Sequence, residues 1–177
     1  MLVTIFGGGG FLGRNVAQEL LAQGMRVRVA ERDPAHALRV KPLGNLGQTQ
    51  LVHADVRDAA SVERAVAGSD AVINLVAVLK GDLDGINHKG AANVAQAAAS
   101  AGIKTLVHVS AIGSDAESKS AYGRSKGQGE QAVRDAFPKA TLIRPSIIFG
   151  REDQFTNRFA NLIRMAPVLP VIAGATK

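Results

Sequence analysis

The sequence predicts a doubly wound α/β fold, a parallel sheet with helices on both faces, and three observations carry that prediction. Short apolar runs of strand length alternate along the chain with stretches of helical periodicity. Glycines follow the helical stretches where a C-terminal cap is wanted, at Gly24, Gly68 and Gly102. The run AVINLVAVL at 71–79 is apolar almost throughout, so a strand built from it has to be covered on two sides, as strands of parallel sheets are. Alternation of strand and helix then implies right-handed crossovers.

Each element follows in order. Residues 2–6 read as a buried strand. From Phe11 to about Gln23, Leu12, Val16, Leu20 and Leu21 fall at helical spacing. A second strand covers about 26–30, and Asp33-Pro34 supplies an N-cap and first-turn pair for a short helix. A third strand at about 49–53 precedes Asp58, placed to cap a helix over 59–67. The fourth strand is 71–78, and the Ala-rich stretch 84–101 is a helix. Strand 104–109, a polar loop, helix 121–136 and strand 140–144 complete the alternation.

Composition narrows the functions. With 177 residues, 46% of them hydrophobic, the chain supports one well-buried domain rather than two. It has no cysteine, which excludes disulfides, thiolate metal sites and a cysteine nucleophile and is compatible with a reducing, cytoplasmic compartment. No metal site is predicted. The net charge of +6 comes from scattered basic residues, so it is read as solvation plus attraction for an anionic cofactor, not as a nucleic-acid footprint. The longest apolar run falls far short of the roughly 20 residues of a membrane helix, and Met1 leads directly into a strand. Neither a transmembrane segment nor an export signal is expected.

The opening MLVTIFGGGGFLGR places four glycines between the first strand and the first helix. Such a turn lets the backbone approach a pyrophosphate, whose charge meets the amides and the positive dipole at the helix N-terminus. The glycines fit two registers, Gly8-x-Gly10-x-x-Gly13 and Gly7-x-x-Gly10-x-x-Gly13. With a strand before and a helix after, the pattern predicts a Rossmann-type dinucleotide site. The competing reading is a flexible turn in which Gly13 only permits close packing.

Cofactor choice should be written at the end of the second strand. Glu31 lies 18 residues after Gly13 (31 − 13), near the spacing at which a carboxylate takes the ribose hydroxyls of NAD. Its neighbour Arg32 can instead pair with the 2′-phosphate of NADP. Both can also be solvated residues at a strand end. Asp55-Val56, after the third strand, stand where an adenine ring would be held, although Asp55 can equally cap its own turn.

A second constellation is Tyr122-x-x-x-Lys126, an i,i+4 pair on one face of a helix. A nearby ammonium stabilises a phenolate and lowers the tyrosine pKa, which suits a general acid or base acting on a carbonyl. Tyr122 is the only tyrosine in the chain and follows the fifth strand, on the side where such folds bind ligands. The bland alternative is an exposed helical pair.

The set FGGGGFLG, HADVRD, INLVA, INHKGAANVAQAA, VHVSAIG, YGRSK and LIRPSIIFG, in that order over about 150 residues, resembles an extended or atypical short-chain dehydrogenase/reductase of the NAD-dependent epimerase/dehydratase type. PLGNLGQ, VRDAFPKATLIRPSIIFGREDQFTNRFA and the tail are similar to the nucleotide-binding accessory subunit of respiratory complex I and its bacterial relatives. The resemblance implies phosphate contact at Gly7, Gly10, Phe11, Leu12 and Gly13, and a 2′-phosphate contact at Arg32, which makes NADP(H) the favoured cofactor and NAD(H) the alternative. It implies an adenine clamp at Asp55 and Val56, a wall at Leu75, Val76 and Ala77, and a nicotinamide border from Pro145 to Ile148. Tyr122 would be the acid/base, Lys126 would also hold the nicotinamide ribose, and Asn87 is the nearest match to a relay asparagine, with an ordinary polar place on its helix the alternative. A partner in a respiratory complex, or a peripheral place on the inner face of a membrane, belongs to the same implication.

One departure bears on catalysis. Active members of the family end the fifth strand with a Ser-rich run whose third position polarises the substrate carbonyl, and here the run is Ser110-Ala111-Ile112. Isoleucine offers no donor to a developing oxyanion. Ser110 or Ser114 can reach in from nearby, or Ser110 can satisfy a backbone group. The resemblance also implies that residues 1–150 form the dinucleotide domain and that 151–177 begin a substrate lobe, a helix and loop left incomplete. Three functions remain open: an oxidoreductase or epimerase, a nucleotide-binding structural or assembly subunit or quinone-biosynthesis factor, and an NADP-dependent redox sensor.

Overall fold

The computed structural model describes residues 1–165. It begins β1 (Leu2–Phe6), α1 (Phe11–Ala22), β2 (Arg26–Glu31), a 3-10 segment (Pro34–Leu43), β3 (Thr49–His53) and α2 (Ala59–Val66). There follow β4 (Ala71–Asn74), a π-helical turn (Asp84–Lys89), α3 (Gly90–Ser100), β5 (Thr105–Val109), α4 (Ala121–Ala136), β6 (Thr141–Ile143) and α5 (Gln154–Met165). The strands form one parallel sheet in the order β3-β2-β1-β4-β5-β6. This is the doubly wound Rossmann arrangement, with its switch point between β1 and β4.

Alternation along β1 builds the two faces. Val3 and Ile5 point to one side, where Val27 and Val29 join Ala17 and Leu21 of α1 and Ala37 and Val40 of the 3-10 segment. Phe6 points to the other, where Val72 and Leu106 meet Val62, Val94, Ala98 and Val133 of α2, α3 and α4. The predicted caps form: Asp33 accepts the Ala35 amide and Asp58 the Ala60 amide, each at 3.0 Å. Gly24, Gly68 and Gly102 end their helices in the left-handed conformation.

Three elements differ from expectation. The short helix after β2 is a 3-10 segment, with Pro42 inside it lacking an amide. The helix expected over 84–101 opens as a π turn and becomes α-helical only at Gly90. β4 ends at Asn74 rather than running to 78, because side chains take over its backbone bonds. The Val76 amide donates to Asn74 Oδ1 at 3.1 Å, while the Val78 amide and carbonyl bond to Asn87 Oδ1 and Nδ2 at 2.9 Å each.

Met1–Ser146 form one compact unit and a second begins at Ile147. In the second, the Asp153 carboxylate accepts the amides of Gly150 (2.9 Å) and Thr156 (2.6 Å) together with the Thr156 hydroxyl, which holds its pKa down to about 2. Phe155 and Phe159 meet edge to face at 5.1 Å. The loop expected beyond α5 lies outside the described residues.

Two tests follow. In a helix, alanine normally outdoes glycine by about 1 kcal/mol, but a Cβ on Gly129 of α4 would stand 2.1 Å from the Asn87 carbonyl oxygen. The clash should win, so Gly129→Ala lowers the melting temperature by several degrees; a rise would refute the close helix contact. His108 on β5 is 1% exposed, and burial, with the Lys126 charge adding to it, pulls its pKa from 6.5 to about 4. The unfolded chain therefore binds more protons between those values, and the stability present above pH 6.5 is lost as pH falls through 4. Denaturant unfolding at pH 7 and 4.5 should show the native protein losing about 2 to 3 kcal/mol more than His108→Gln.

Candidate functional site

The glycine loop calls on both of its registers. Gly7 has φ +79, and a Cβ there would press to 3.3 Å on the Leu75 carbonyl carbon and the Val76 nitrogen. A Cβ on Gly13 would lie 2.3 Å from the Gly7 oxygen. Gly7 and Gly13 thus close the turn, a Cβ on Gly8 would stand 2.8 Å from the Val29 side chain, one on Gly10 would make only ordinary contact at 3.4 Å, and Gly9 lies against Ala37 and Glu31. Gly10 is the N-cap of α1, no side chain caps the helix, and its first turn holds no acid. The amides at this end, with Phe11 and Leu12 on the same turn, are left for an anion.

Around the loop lies a cleft of about 430 Å³ at the C-terminal ends of β1, β2 and β4. It gathers Gly7, Gly10, Arg32, Asp55, Val56, Leu75, Val76 and Ala77, eight of the residues expected for the cofactor. Gly9, Ala30, Glu31, His36, Ala54, Val78 and Ile86 complete the lining. Phe11, Leu12 and Gly13, at the start of α1, are absent from the lining. Tyr122, Lys126, Ser110 and Pro145 do not line it, and Ile148 belongs to the second unit.

The acids of the cleft are already engaged. Glu31 Oε1 accepts the Gly9 amide at 2.8 Å, tying the end of β2 to the glycine loop. Asp55 accepts the Arg57 amide at 3.0 Å and grips the Arg57 guanidinium, at 2.6 Å for the shorter contact, so that its pKa falls to about 2. Its carboxylate therefore caps the turn, as the alternative reading had it, while the residue still lines the cleft. Arg32 is exposed at the rim.

On α4 the electrostatics depart from expectation. Tyr122 is half-buried, and burial raises its pKa instead of an ammonium lowering it. The Lys126 ammonium, 1% exposed, donates to the Val109 carbonyl at 3.0 Å, and burial, opposed by Glu130, brings its pKa down to about 8. Burial works to raise the Glu130 carboxyl, but the hydrogen bonds it accepts from the Arg144 guanidinium outweigh it and hold it below its ordinary value. Ser110 shares a 2.9 Å hydrogen bond with Ser114, which donates to the Ala111 carbonyl. Both serines are thus satisfied locally. Ile112 is 71% exposed, and its amide donates to the Pro145 carbonyl at 2.9 Å.

Sequence reasoning passed over Asn74 and His108, and left Asn87 between a relay role and an ordinary polar place on its helix. All three are buried at 1% exposure. Asn74 Nδ2 faces His108 Nδ1 at 3.2 Å, and Asn87 Nδ2 donates to Ser125 Oγ at 3.1 Å. The available signal was a polar side chain interrupting each of two apolar strands, in INLVA and VHVSA. Among the described residues there is no cluster that could hold a metal ion, and no helix is long and apolar enough to cross a membrane.

The chain resembles known proteins across this whole region. The mouse mitochondrial NADH dehydrogenase [ubiquinone] 1 alpha subcomplex subunit 9 is 39% identical over 166 residues, 91% of this chain and 44% of that protein. The ceramide reductase of Caulobacter vibrioides is 34% identical over 181 aligned positions, 99% of this chain and 55% of that protein. The chain thus spans about half the length of these curated relatives. Among solved structures, the Bordetella bronchiseptica enzyme WbmG in complex with NAD superposes with a TM-score of 0.68 at 27% identity, covering 81% of this chain and 52% of that one. A family described as NAD(P)H-binding matches residues 7–158, from the first glycine of the loop into α5. With that match laid over the cleft and its glycine turn, the chain belongs to the NAD(P)H-binding, epimerase/dehydratase-like short-chain dehydrogenase/reductase family.

Proposed function

We propose that this chain holds NAD(P)(H) along the cleft, with the pyrophosphate on the first turn of α1, the adenosine between Arg32 and Asp55-Val56, and the nicotinamide toward Tyr122 and Lys126. One observation carries the reading: the start of α1 has no side-chain cap and no acid, and meets a turn where only hydrogen fits at Gly13. That cradle fits a pyrophosphate.

The finer reading is a preference for NADP(H). Arg32 supports it, as an exposed guanidinium on the cleft rim, with His36 beside it in the lining. Glu31 opposes it, since its carboxylate is fixed inside the same cleft by the Gly9 amide. Calorimetric titration should find NADPH bound at least tenfold more tightly than NADH, with Arg32→Ala removing the difference, as loss of one charge-assisted contact does. Equal or tighter NADH binding would give the ribose to Glu31; no binding of either would end the dinucleotide reading.

A second reading, hydride transfer to a carbonyl, is favoured by the helix α4 pair and by the name of the Caulobacter relative. Burial keeps Tyr122 a neutral phenol that would give a proton to a substrate's carbonyl oxygen, a bound dinucleotide would supply the hydride, and Lys126 would reach the adjoining ribose only by leaving the Val109 carbonyl. Ile112 removes the usual oxyanion donor, so turnover should be slow. With NADPH and a ceramide-derived ketone, Tyr122→Phe should cut turnover about 100-fold or more while leaving nucleotide affinity intact. Unchanged turnover in that variant would exclude the pair. The mouse relative's name supports a companion reading in which the loaded protein attaches to a respiratory complex; the reading extends to a peripheral place on the inner face of a membrane, where a net charge of +6 suits an anionic surface.

A further inference from the structure

The inner wall of the cleft is a length of backbone that belongs to no strand. Leu75 to Val78 line it, although β4 stops at Asn74. Only the Leu75 amide still bonds across the sheet, to the Phe6 carbonyl at 3.0 Å. The Val76 amide is held by the Asn74 side chain at 3.1 Å. This wall is what Gly7 leans on, so its position sets the width of the turn that faces the ligand.

Asn74 in turn rests on His108. The two are register partners in the parallel β4 and β5 pair, on one face of the sheet and equally buried. Because Asn74 Oδ1 is committed to the Val76 amide, its Nδ2 donates, and His108 Nδ1 must be the acceptor at 3.2 Å. That selects the neutral Nε2–H tautomer. Nε2 itself has no hydrogen-bond partner. An unpaired buried donor costs about 1 to 3 kcal/mol, so an apolar side chain would fill this place more cheaply if filling were the only requirement. Lys126 and Glu130 of α4 are the charged groups that act on the ring, and both have other partners, the Val109 carbonyl and Arg144.

We propose that Asn74 and His108 are positioning residues of the dinucleotide cleft: His108 Nδ1 fixes the Asn74 carboxamide, whose oxygen fixes the Val76 amide and so the wall against Gly7. The inference rests on the cleft being the dinucleotide site. Neither side chain lines the cleft, so the effect reaches a ligand through the Val76 backbone. Without the acceptor, Asn74 Nδ2 is buried and unpaired, nothing fixes the orientation of the carboxamide, and the Val76 amide is held less firmly.

The test uses the whole chain and two substitutions. His108→Leu removes the acceptor, and His108→Gln puts an amide oxygen in its place. NADH and NADPH should each bind about tenfold more weakly to the leucine variant, the equivalent of about one hydrogen bond, and the Val76 amide should exchange faster while Val72 within β4 does not. The glutamine variant should restore both. Unaltered Val76 exchange in His108→Leu overturns the inference, as does a glutamine variant no better than leucine. Nitrogen NMR of the native protein gives a check free of any substitution: a proton on His108 Nδ1 at neutral pH also overturns it. Should the native protein bind neither nucleotide, the reading of the cleft falls, and Val76 exchange still decides whether the pair holds the wall.

Discussion

The contact between Gly13 and the Gly7 carbonyl governs the rest of this structure. At that point the first turn of α1 lies so close on the end of β1 that a methyl group has no room. The close approach starts the helix at once after the strand, with the Gly10 amide on the Gly7 carbonyl at 3.2 Å and the Arg14 amide on the Gly10 carbonyl at 3.0 Å. It leaves the start of α1 without a side-chain cap at the C-terminal end of β1 and drives Ala17 and Leu21 into the core beneath. β2 then ends where the Glu31 carboxylate can return to Gly9, so the loop is braced from its outer side too.

The same device recurs where helices must be placed rather than merely buried. Apolar burial is non-directional and does not choose a crossing angle, but a backbone contact at a glycine does. Gly129 sets α4 on the Asn87 carbonyl, Gly127 sets it on the 115–116 loop, and Gly90 seats α3 on Val56. Ala91, Ala95 and Ala98 of α3 keep its buried face small, so α4 can approach. These contacts bring Lys126 beneath the end of β5 and Glu130 to Arg144.

Polar side chains inside the sheet's C-terminal half give the site its shape. Asn74 and Asn87 replace the ladder bonds that β4 would make beyond its fourth residue, turning the end of a strand into the wall of a cleft. On α4, burial keeps Tyr122 protonated and weakens the hold of Lys126 on its proton.

The residues alone determined the fold class, the strand and helix order, the caps at Asp33 and Asp58, and eight of the residues that line the cleft, because each rests on local periodicity, turn chemistry or motif spacing. Tertiary structure decided what depends on distant partners. Where β4 stopped, how Lys126 came to be buried against the Val109 carbonyl, and which way the Tyr122 pKa moved all turned on contacts between residues far apart in the chain or on burial, and neither is written in local sequence. The Asn74 and His108 pairing is the sharpest case: 34 positions separate them, and only the parallel register of β4 with β5 brings one amide to one ring nitrogen.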